Sequence, residues 1–359
     1  MADEFTTTIE QLEKYVSYSP EEREEIKKNI ENHPMSVNQY YMDLIDWNDP
    51  DDPIRKMAIP SMAENTIDGD FDTSGEQQNT KLQGLQHKYA QTALILAANS
   101  CVMYCRHCFR KRLVGINMSE IAHDWEPIVN YVSEHKEITN ILISGGDPLM
   151  LDNASIKCIF EKFSPIEHLN FIRIGSRIPV VDPEKIINNP ELISMLKDCS
   201  ENRKKVYLTT QFNHPREITP LAIKAINIIK AANIIINNQT VLLKGVNDTP
   251  EIMAELQAGL SKIGVVPYYV FQCRPVKKVK NIFQVPFIQS LKIVEGARVL
   301  LDGLSKRFRF VMSHKTGKIE LLGYEDGHLF YKYHQSTPEL LDGKIYRKKI
   351  AEDECWLDQ

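Results

Sequence analysis

From Thr92 onward, short apolar runs alternate with amphipathic windows, and nothing else in the sequence limits the fold so tightly. Runs at 92–98, 138–144, 170–175, 205–211, 234–243 and 266–272 have strand length and are rich in β-branched and aromatic residues. Between them, windows near 118–135, 153–163, 184–199, 219–233 and 249–263 repeat their apolar residues at helical spacing, and another follows at 286–305. A strand that returns to its sheet through a helix lies parallel to its predecessor. Strict alternation therefore implies an α/β fold with a parallel sheet, closed as a barrel or doubly wound. Six such units favour a partial (β/α)6 TIM-like barrel.

In parallel α/β folds, function gathers at the C-terminal ends of the strands. Here the six post-strand loops read NSCVMYCRHCFRKR, GGDPLM, SRIPVVDP, FNHPRE, KGVND and CRPVKK. The first carries Cys101, Cys105 and Cys108 at CxxxCxxC spacing. Three thiolates from one loop can bind three irons of a 4Fe-4S cluster and leave the fourth open to a small molecule. The same thiols could instead form part of a zinc site, which needs a fourth Cys or His, or could simply pack. His107 lies between two of the thiols and is poorly placed to complete a tetrahedron. The basic run Arg106 to Arg112 suits a negatively charged cluster and anionic ligands.

Ahead of this region, Ser19-Pro20-Glu21-Glu22 has the form of a capping box, opening a helix that runs to about His33-Pro34. A second element covers Val37 to Ile45, and Asp49 to Pro53 breaks it. Residues 60–86 are polar and aperiodic, as in a long loop. The expected division is a helical N-terminal arm and linker over 1–86, the barrel over 87–306 and a C-terminal segment over 307–359. A net charge of −5 leaves no footprint for nucleic acid or acidic membranes. The N-terminus has no apolar leader, and no apolar run is long enough to span a bilayer. Seven cysteines, three of them clustered, fit a reducing, cytoplasmic setting. Cys158, Cys199, Cys273 and Cys355 read as packed or surface thiols.

The string CVMYCRHCFRKR, with DPIRKMAIP and GLQHKY before it, resembles the radical S-adenosylmethionine (SAM) lysine 2,3-aminomutase family, and the resemblance runs from about Asp52 to Tyr324. It implies a 4Fe-4S cluster on the three cysteines, SAM on the open iron, and pyridoxal 5'-phosphate (PLP). Ser144, Gly145, Gly146 and Asp147 resemble the family's GGDP-type motif, where the glycines permit close approach and Asp147 offers an acceptor for the SAM amino group. Ser176 and Arg177 lie one unit further on, with Arg177 able to pair with a carboxylate. Gln211, Asn213 and His214 are candidates for the nucleoside or substrate, with a structural hydrogen bond preferred for His214. His107 falls within the cofactor loop. Lys318 matches the PLP lysine, with Lys315 nearby as a possible confusion. Lys88 and Thr92 replace arginines of the family's YPDR-like string, and His314 to Gly317 shortens its glycine run.

Arg110 matches the residue that meets the substrate α-carboxylate. Where lysine enzymes carry an Asp for the substrate ammonium, this chain has Arg274, and Ser313 stands at the second acidic position. An arginine repels an ammonium in low dielectric but grips a carboxylate bidentately. The expected substrate is therefore an acidic amino acid such as glutamate, its amino group moving from C2 to C3. The family's zinc-binding cysteines are missing apart from Cys355, so no zinc is expected. Implied partners are a low-potential electron donor such as flavodoxin or ferredoxin and a second copy of the chain in a homo-oligomer. A family enzyme lacking PLP, an Fe-S electron carrier without turnover and a zinc-binding structural module stay open as alternatives.

Overall fold

The computed structural model describes residues 5–116, 118–336, 340–341 and 343–357. Its architecture is mixed α/β, built on one twelve-stranded sheet whose spatial order follows the chain. The strands are β1 (Thr80–Leu82), β2 (Leu85–Tyr89), β3 (Thr92–Ala98), β4 (Asn140–Gly145), β5 (Phe171–Gly175), β6 (Lys205–Thr210), β7 (Ile235–Leu242), β8 (Val266–Gln272), β9 (Arg309–His314), β10 (Gly317–Glu325), β11 (His328–Gln335) and β12 (Tyr346–Lys349). Strands β3 to β9 pair parallel. Antiparallel strands flank them, β1 and β2 on one side and β10 to β12 on the other.

The crossover helices start where side-chain chemistry dictates. Asn189, Thr219 and Thr249 each cap a helix that opens with proline: Pro190–Asn202, Pro220–Ala231 and Pro250–Lys262. Proline loses nothing there, because the first helical N–H has no partner inside the helix. Asp152 caps Asn153–Phe163 in the same manner, and Ser19 with Glu22 closes the expected box on Pro20–Asn32. Strand alternation then sorts side chains by face. On β5, Ile172 and Ile174 are buried against the helices, whereas Arg173 and Gly175 face a cavity on the opposite side.

Several boundaries differ from expectation. A seventh parallel strand, β9, joins the six, carrying the C-terminal segment directly onto the sheet. The helix expected over 118–135 is confined to Glu126–Glu134, and the window at 184–199 is cut into Pro183–Ile187 and Pro190–Asn202, with Pro190 opening the second piece. The last window forms Phe287–Val299. Within 37–45 the helix is a single turn, Gln39–Met42. The stretch 60–86 is more than a loop: it holds a 3-10 turn at Met62–Asn65, a helical turn at Glu76–Asn79 and strand β1, with Glu64, Ser74 and Glu76 buried.

Candidate active site

The loop after β3 folds back under the N-terminal residues through backbone hydrogen bonds from Tyr104 to Ser36 and from Arg106 to Met57. Its basic run does not turn as a whole toward a ligand. Arg106 and Lys111 instead close on the buried carboxylate of Glu64, at 2.5 and 2.8 Å. Burial works to raise the Glu64 carboxyl, but these two cations outweigh it and hold it below the usual range. Arg112 pairs with Glu76 at 2.9 Å and with Glu120. Arg110 alone of the four reaches the cavity, donating to Ser144 Oγ (3.1 Å) and the Gly145 carbonyl (3.3 Å) while its Nε pairs with Glu76. The expectation that the whole run serves anionic ligands is thus corrected, since Glu64 and Glu76 of the 60–86 segment, with Glu120, supply its counter-charges.

Cys101, Cys105 and Cys108 all line one cavity of about 370 Å³ at the C-terminal ends of the parallel strands. Burial raises the Cys101 thiol, and it pushes Cys108 up to about 11. Bound iron would reverse that, because a coordinating thiol gives up its proton to the metal. Arg177 Nη1 donates to Cys105 Sγ at 2.7 Å. Among the described residues no three Cys, His, Asp or Glu side chains converge to enclose a single ion. A 4Fe-4S cube takes each thiolate on a different iron and needs no such convergence. His107 is buried in the same wall. Its Nε2 meets the amides of Gln211 (3.1 Å) and Asn213 (3.2 Å), and its Nδ1 has no partner among the described residues. An orphaned polar atom on a residue that lines the same cavity as three thiols fits a site completed by a bound group.

Next to the thiols lie Ser144, Gly145, Gly146 and Asp147. Gly146 N–H donates to the Ala98 carbonyl at 2.5 Å, and a Cβ on Gly145 or Gly146 would strike the Ala98 or Ser100 carbonyl. The glycines therefore serve close packing of the β4 turn on the cysteine loop. Asp147 is buried, and burial raises its carboxyl. Its oxygens already accept from the backbone N–H groups of Leu149 (3.0 Å) and Arg177 (2.7 Å). Ser176 Oγ accepts from Ile178 N at 3.1 Å and lines the cavity. Arg177 is not a surface arginine: it ion-pairs with the fully buried Glu217 and donates to the Gln211 carbonyl at 2.9 Å. His214 Nδ1 accepts from Arg216 N at 3.2 Å as a cap, and Asn213 Oδ1 accepts from Val241 N at 2.9 Å; neither residue lines the cavity.

The far side of the cavity is built from the C-terminal segment. On β10, Lys318 faces inward with Nζ 4.4 Å from the Tyr269 ring centroid and farther from those of Phe271 and Tyr89. Among the described residues no carboxylate pairs with it. Burial, reinforced by Arg173, Arg274 and Lys88, lowers this amine from 10.5 to about 7. Lys315 is exposed on the β9–β10 turn and is not part of the wall. Ser313 pairs across the ladder with Lys318 and also lines the cavity. Lys88 Nζ donates to the carbonyls of Ser74 (2.9 Å) and His314 (2.6 Å). Arg274 turns inward rather than out toward Lys277 and Lys278, donating to Ser74 Oγ at 2.9 Å and lying 4.1 Å from the Phe109 ring centroid. Sequence reasoning missed Glu76 and Arg173 as cavity residues. The second had a signal: one arginine in the otherwise apolar run FIRIG.

No family model matches this chain. It is 41% identical over 347 residues to an Aquifex aeolicus protein provisionally named an L-lysine 2,3-aminomutase, covering 96% of this chain and 92% of that one. It is 37% identical over 294 residues to the L-lysine 2,3-aminomutase of Acetoanaerobium sticklandii, covering 81% and 69%. With the glutamate 2,3-aminomutase of Clostridioides difficile it shares 33% over 316 residues, covering 87% and 72%. Among solved structures, a radical SAM methyltransferase from Sphaerobacter thermophilus aligns over 63% of this chain and 68% of its own, at 15% identity and a TM-score of 0.37. The length and identity of the first three matches, over a chain whose three cysteines and Lys318 share one cavity, place it in the family that the cysteine string resembled: it belongs to the radical SAM amino-acid 2,3-aminomutases, which are isomerases.

Proposed function

We propose that this chain is a PLP-dependent 2,3-aminomutase that moves the amino group of an acidic α-amino acid, glutamate foremost, from C2 to C3. The observation that carries the reading is that three thiols share one cavity with a lysine that has no carboxylate partner among the described residues. When bound, the 4Fe-4S cluster with SAM supplies single-electron chemistry that yields a hydrogen-abstracting radical, and PLP supplies a π-system across which nitrogen can move. The cysteines are proposed to hold the cluster, with His107 and Gln211 beside it. Ser144, Gly145, Gly146, Asp147, Ser176 and Arg177 are proposed to form the SAM wall, where Asp147 retains lone pairs for an ammonium and Arg177 faces the thiol rim.

Lys318, deprotonated in part near neutrality, is proposed to bind the PLP aldehyde, with Lys88 toward its phosphate. Arg110 and Arg274 both lie over Phe109, at 4.6 and 4.1 Å from its centroid, and Ser313 closes the same wall. Arg110, Arg112 and Arg274 all lie within reach of the Glu76 charge, Arg112 has Glu120 as well, and Asp72 acts on both Arg274 and Lys88, so the four cations of this corner face three carboxylates and keep one positive charge in excess. A substrate with two carboxylates supplies the missing negative charge, whereas the lysine side chain would add another positive one. The relatives include both kinds, a glutamate enzyme at 33% identity beside lysine-named proteins at 37% and 41%, so the choice rests on the charges of this corner. Water exclusion falls to the strands around the cavity, read here as a partial barrel in which β9 extends the (β/α)6 unit expected over 87–306. The arm over 1–86 and the segment over 307–359 complete its two sides. A cytoplasmic homo-oligomer served by a flavodoxin- or ferredoxin-like donor fits this reading.

Anaerobic reconstitution with iron, sulfide, SAM, PLP and dithionite, followed by incubation with glutamate, aspartate or lysine and mass spectrometry of β-amino products, tests it. Glutamate should turn over best. Preferred turnover of lysine overturns the assignment of Arg274. Release of 5'-deoxyadenosine with no PLP fixed to Lys318 by borohydride points instead to a family enzyme without PLP. Protein that holds zinc in place of iron, or that releases no 5'-deoxyadenosine, overturns the whole reading.

A further inference from the structure

Glu217 does not line the cavity, yet one side chain joins its carboxylate to a thiol of the cysteine loop. It ends the 3-10 turn Pro215–Glu217 after β6 and is fully buried. Four donors surround the carboxylate. The Tyr41 hydroxyl (2.7 Å) and Arg177 Nη2 meet one oxygen, and the backbone N–H groups of Asn213 (2.6 Å) and His214 (3.0 Å) meet the other. Charge-assisted bonds on both oxygens fix the group in place. Arg177 is held as closely: its Nε donates to the Gln211 carbonyl at 2.9 Å, its Nη2 also lies 3.5 Å from the Tyr41 oxygen, and its Nη1 donates to Cys105 Sγ at 2.7 Å.

The bond to Cys105 matters because the reduction potential of an iron-sulfur cluster follows its net charge and the hydrogen bonds to its sulfurs. The electron that a low-potential donor delivers adds one negative charge, so a cation beside a ligand sulfur favours the reduced form and raises the potential. An uncompensated guanidinium here would make the cluster easy to reduce and correspondingly poor at passing the electron on to the SAM sulfonium. Glu217 supplies the opposite charge through Nη2, in an interior where solvent screens the pair little. It leaves the N–H···S bond in place and removes the net charge. We propose that Glu217, oriented by Tyr41, is a positioning residue that sets the reduction potential of the cluster by holding Arg177 against Cys105 and keeping the pair neutral. The proposal rests on the three cysteines binding a 4Fe-4S cluster, and it concerns a residue outside the cavity wall.

Midpoint potentials of the reconstituted full-length protein, measured without SAM or PLP by mediated titration and read from the electron paramagnetic resonance of the reduced cluster, test it. Glu217→Gln should raise the potential, by about tenfold in the reduced-to-oxidised ratio, or about 59 mV for one electron. Glu217→Asp keeps the charge and should stay near wild type. Arg177→Gln should lower the potential by a similar amount. The double variant Arg177→Gln with Glu217→Gln removes both charges and should return most of the way to wild type. Iron and sulfide content per chain show that each variant holds the cluster. Glu217→Gln leaves a guanidinium buried without a counter-charge; if it takes up no iron, Arg177→Gln against the double variant gives the same comparison. One potential shared by wild type and every variant overturns the proposal and spares the cluster. So does a shift in the same direction in both single variants, as solvent entering the site would cause. Wild type that binds no 4Fe-4S cluster overturns the reading of the cysteines and the proposal with it.

Discussion

At the scale of single residues, Lys318 shows how burial among aromatic rings and other cations makes an amine reactive. Lysines are ordinarily exposed and protonated, but this one faces aromatic rings, and desolvation removes the advantage of its charged form. The consequence for stability has a definite sign. Below pH 7 the amine is protonated both folded and unfolded, and the folded state bears the full cost of an enclosed charge. Between about 7 and 10.5 the unfolded chain binds a proton that the folded chain lacks, so stability rises with pH. Lys318→Met removes this titration. Denaturant unfolding of the cofactor-free protein should find the variant more stable at pH 7, on the order of 2–4 kcal/mol, with the difference shrinking toward pH 10. A difference that stays constant with pH would mean the amine titrates normally. In the wild type, PLP attachment should accelerate with a midpoint near 7, as more of the amine becomes the neutral nucleophile.

At the scale of elements, the segment from Met62 to Asn79 governs the site although it holds little regular structure. Glu64 anchors Arg106 and Lys111 from 42 and 47 residues away, and Glu76 anchors Arg110 and Arg112. Glu64→Gln leaves Arg106 and Lys111 buried without a counter-charge. The expected cost is about 3–5 kcal/mol, read as a lowered denaturant midpoint, together with poorer iron retention, because both cations flank the cysteines. A variant as stable as wild type would show that water or a rearranged carboxylate replaces Glu64. These pairings explain what the sequence could and could not convey. The six apolar runs were legible because strand length, β-branched residues and alternation with helical windows are local patterns, and the cysteine loop was legible because its spacing is local too. Strand β9 was hidden: Arg309, Ser313 and His314 interrupt its apolar character, and its parallel partner β8 is separated by a helix and a loop. Glu64 and Glu76 looked like loop polarity, since only three-dimensional pairing separates a buried carboxylate from a solvated one. Arg274 and Lys318 were found through family resemblance, but whether they turned inward depended on packing that no local pattern records.

At the scale of the whole molecule, the cavity is assembled from both ends of the chain. From the N-terminal side, Tyr41 donates to Glu217 at 2.7 Å, and Glu217 in turn fixes Arg177 and the backbone of Asn213 and His214. From the C-terminal side, Trp356 and Leu357 are buried in a second apolar cluster with Phe287, Phe308, Phe310 and Met312. The chain just before them is stitched to the end of β8. Phe287 N donates to the Glu354 carbonyl at 2.9 Å, and Gln272 Nε2 donates to those of Val285 (2.6 Å) and Cys355 (3.1 Å). Gln284 adds a bond to the Cys273 carbonyl at 2.8 Å, so the two residues that lead into Arg274 are held by contacts made farther along the sequence. Arg274 carries the proposed substrate preference, and the tail therefore bears on specificity without touching the cavity. Trp356→Ala should open a void in the second cluster, costing about 3–5 kcal/mol in denaturant unfolding. Because the tail bonds the end of β8 and not the cysteine loop, amide exchange should quicken around Gln272 to Arg274 while the segment around Cys101 to Cys108 stays protected. In the reconstituted enzyme the same variant should raise KM for the acidic substrate more than it lowers 5'-deoxyadenosine release. Equal loss of both, with uniform exchange across the sheet, would show that the tail supports the fold as a whole and has no particular hold on Arg274.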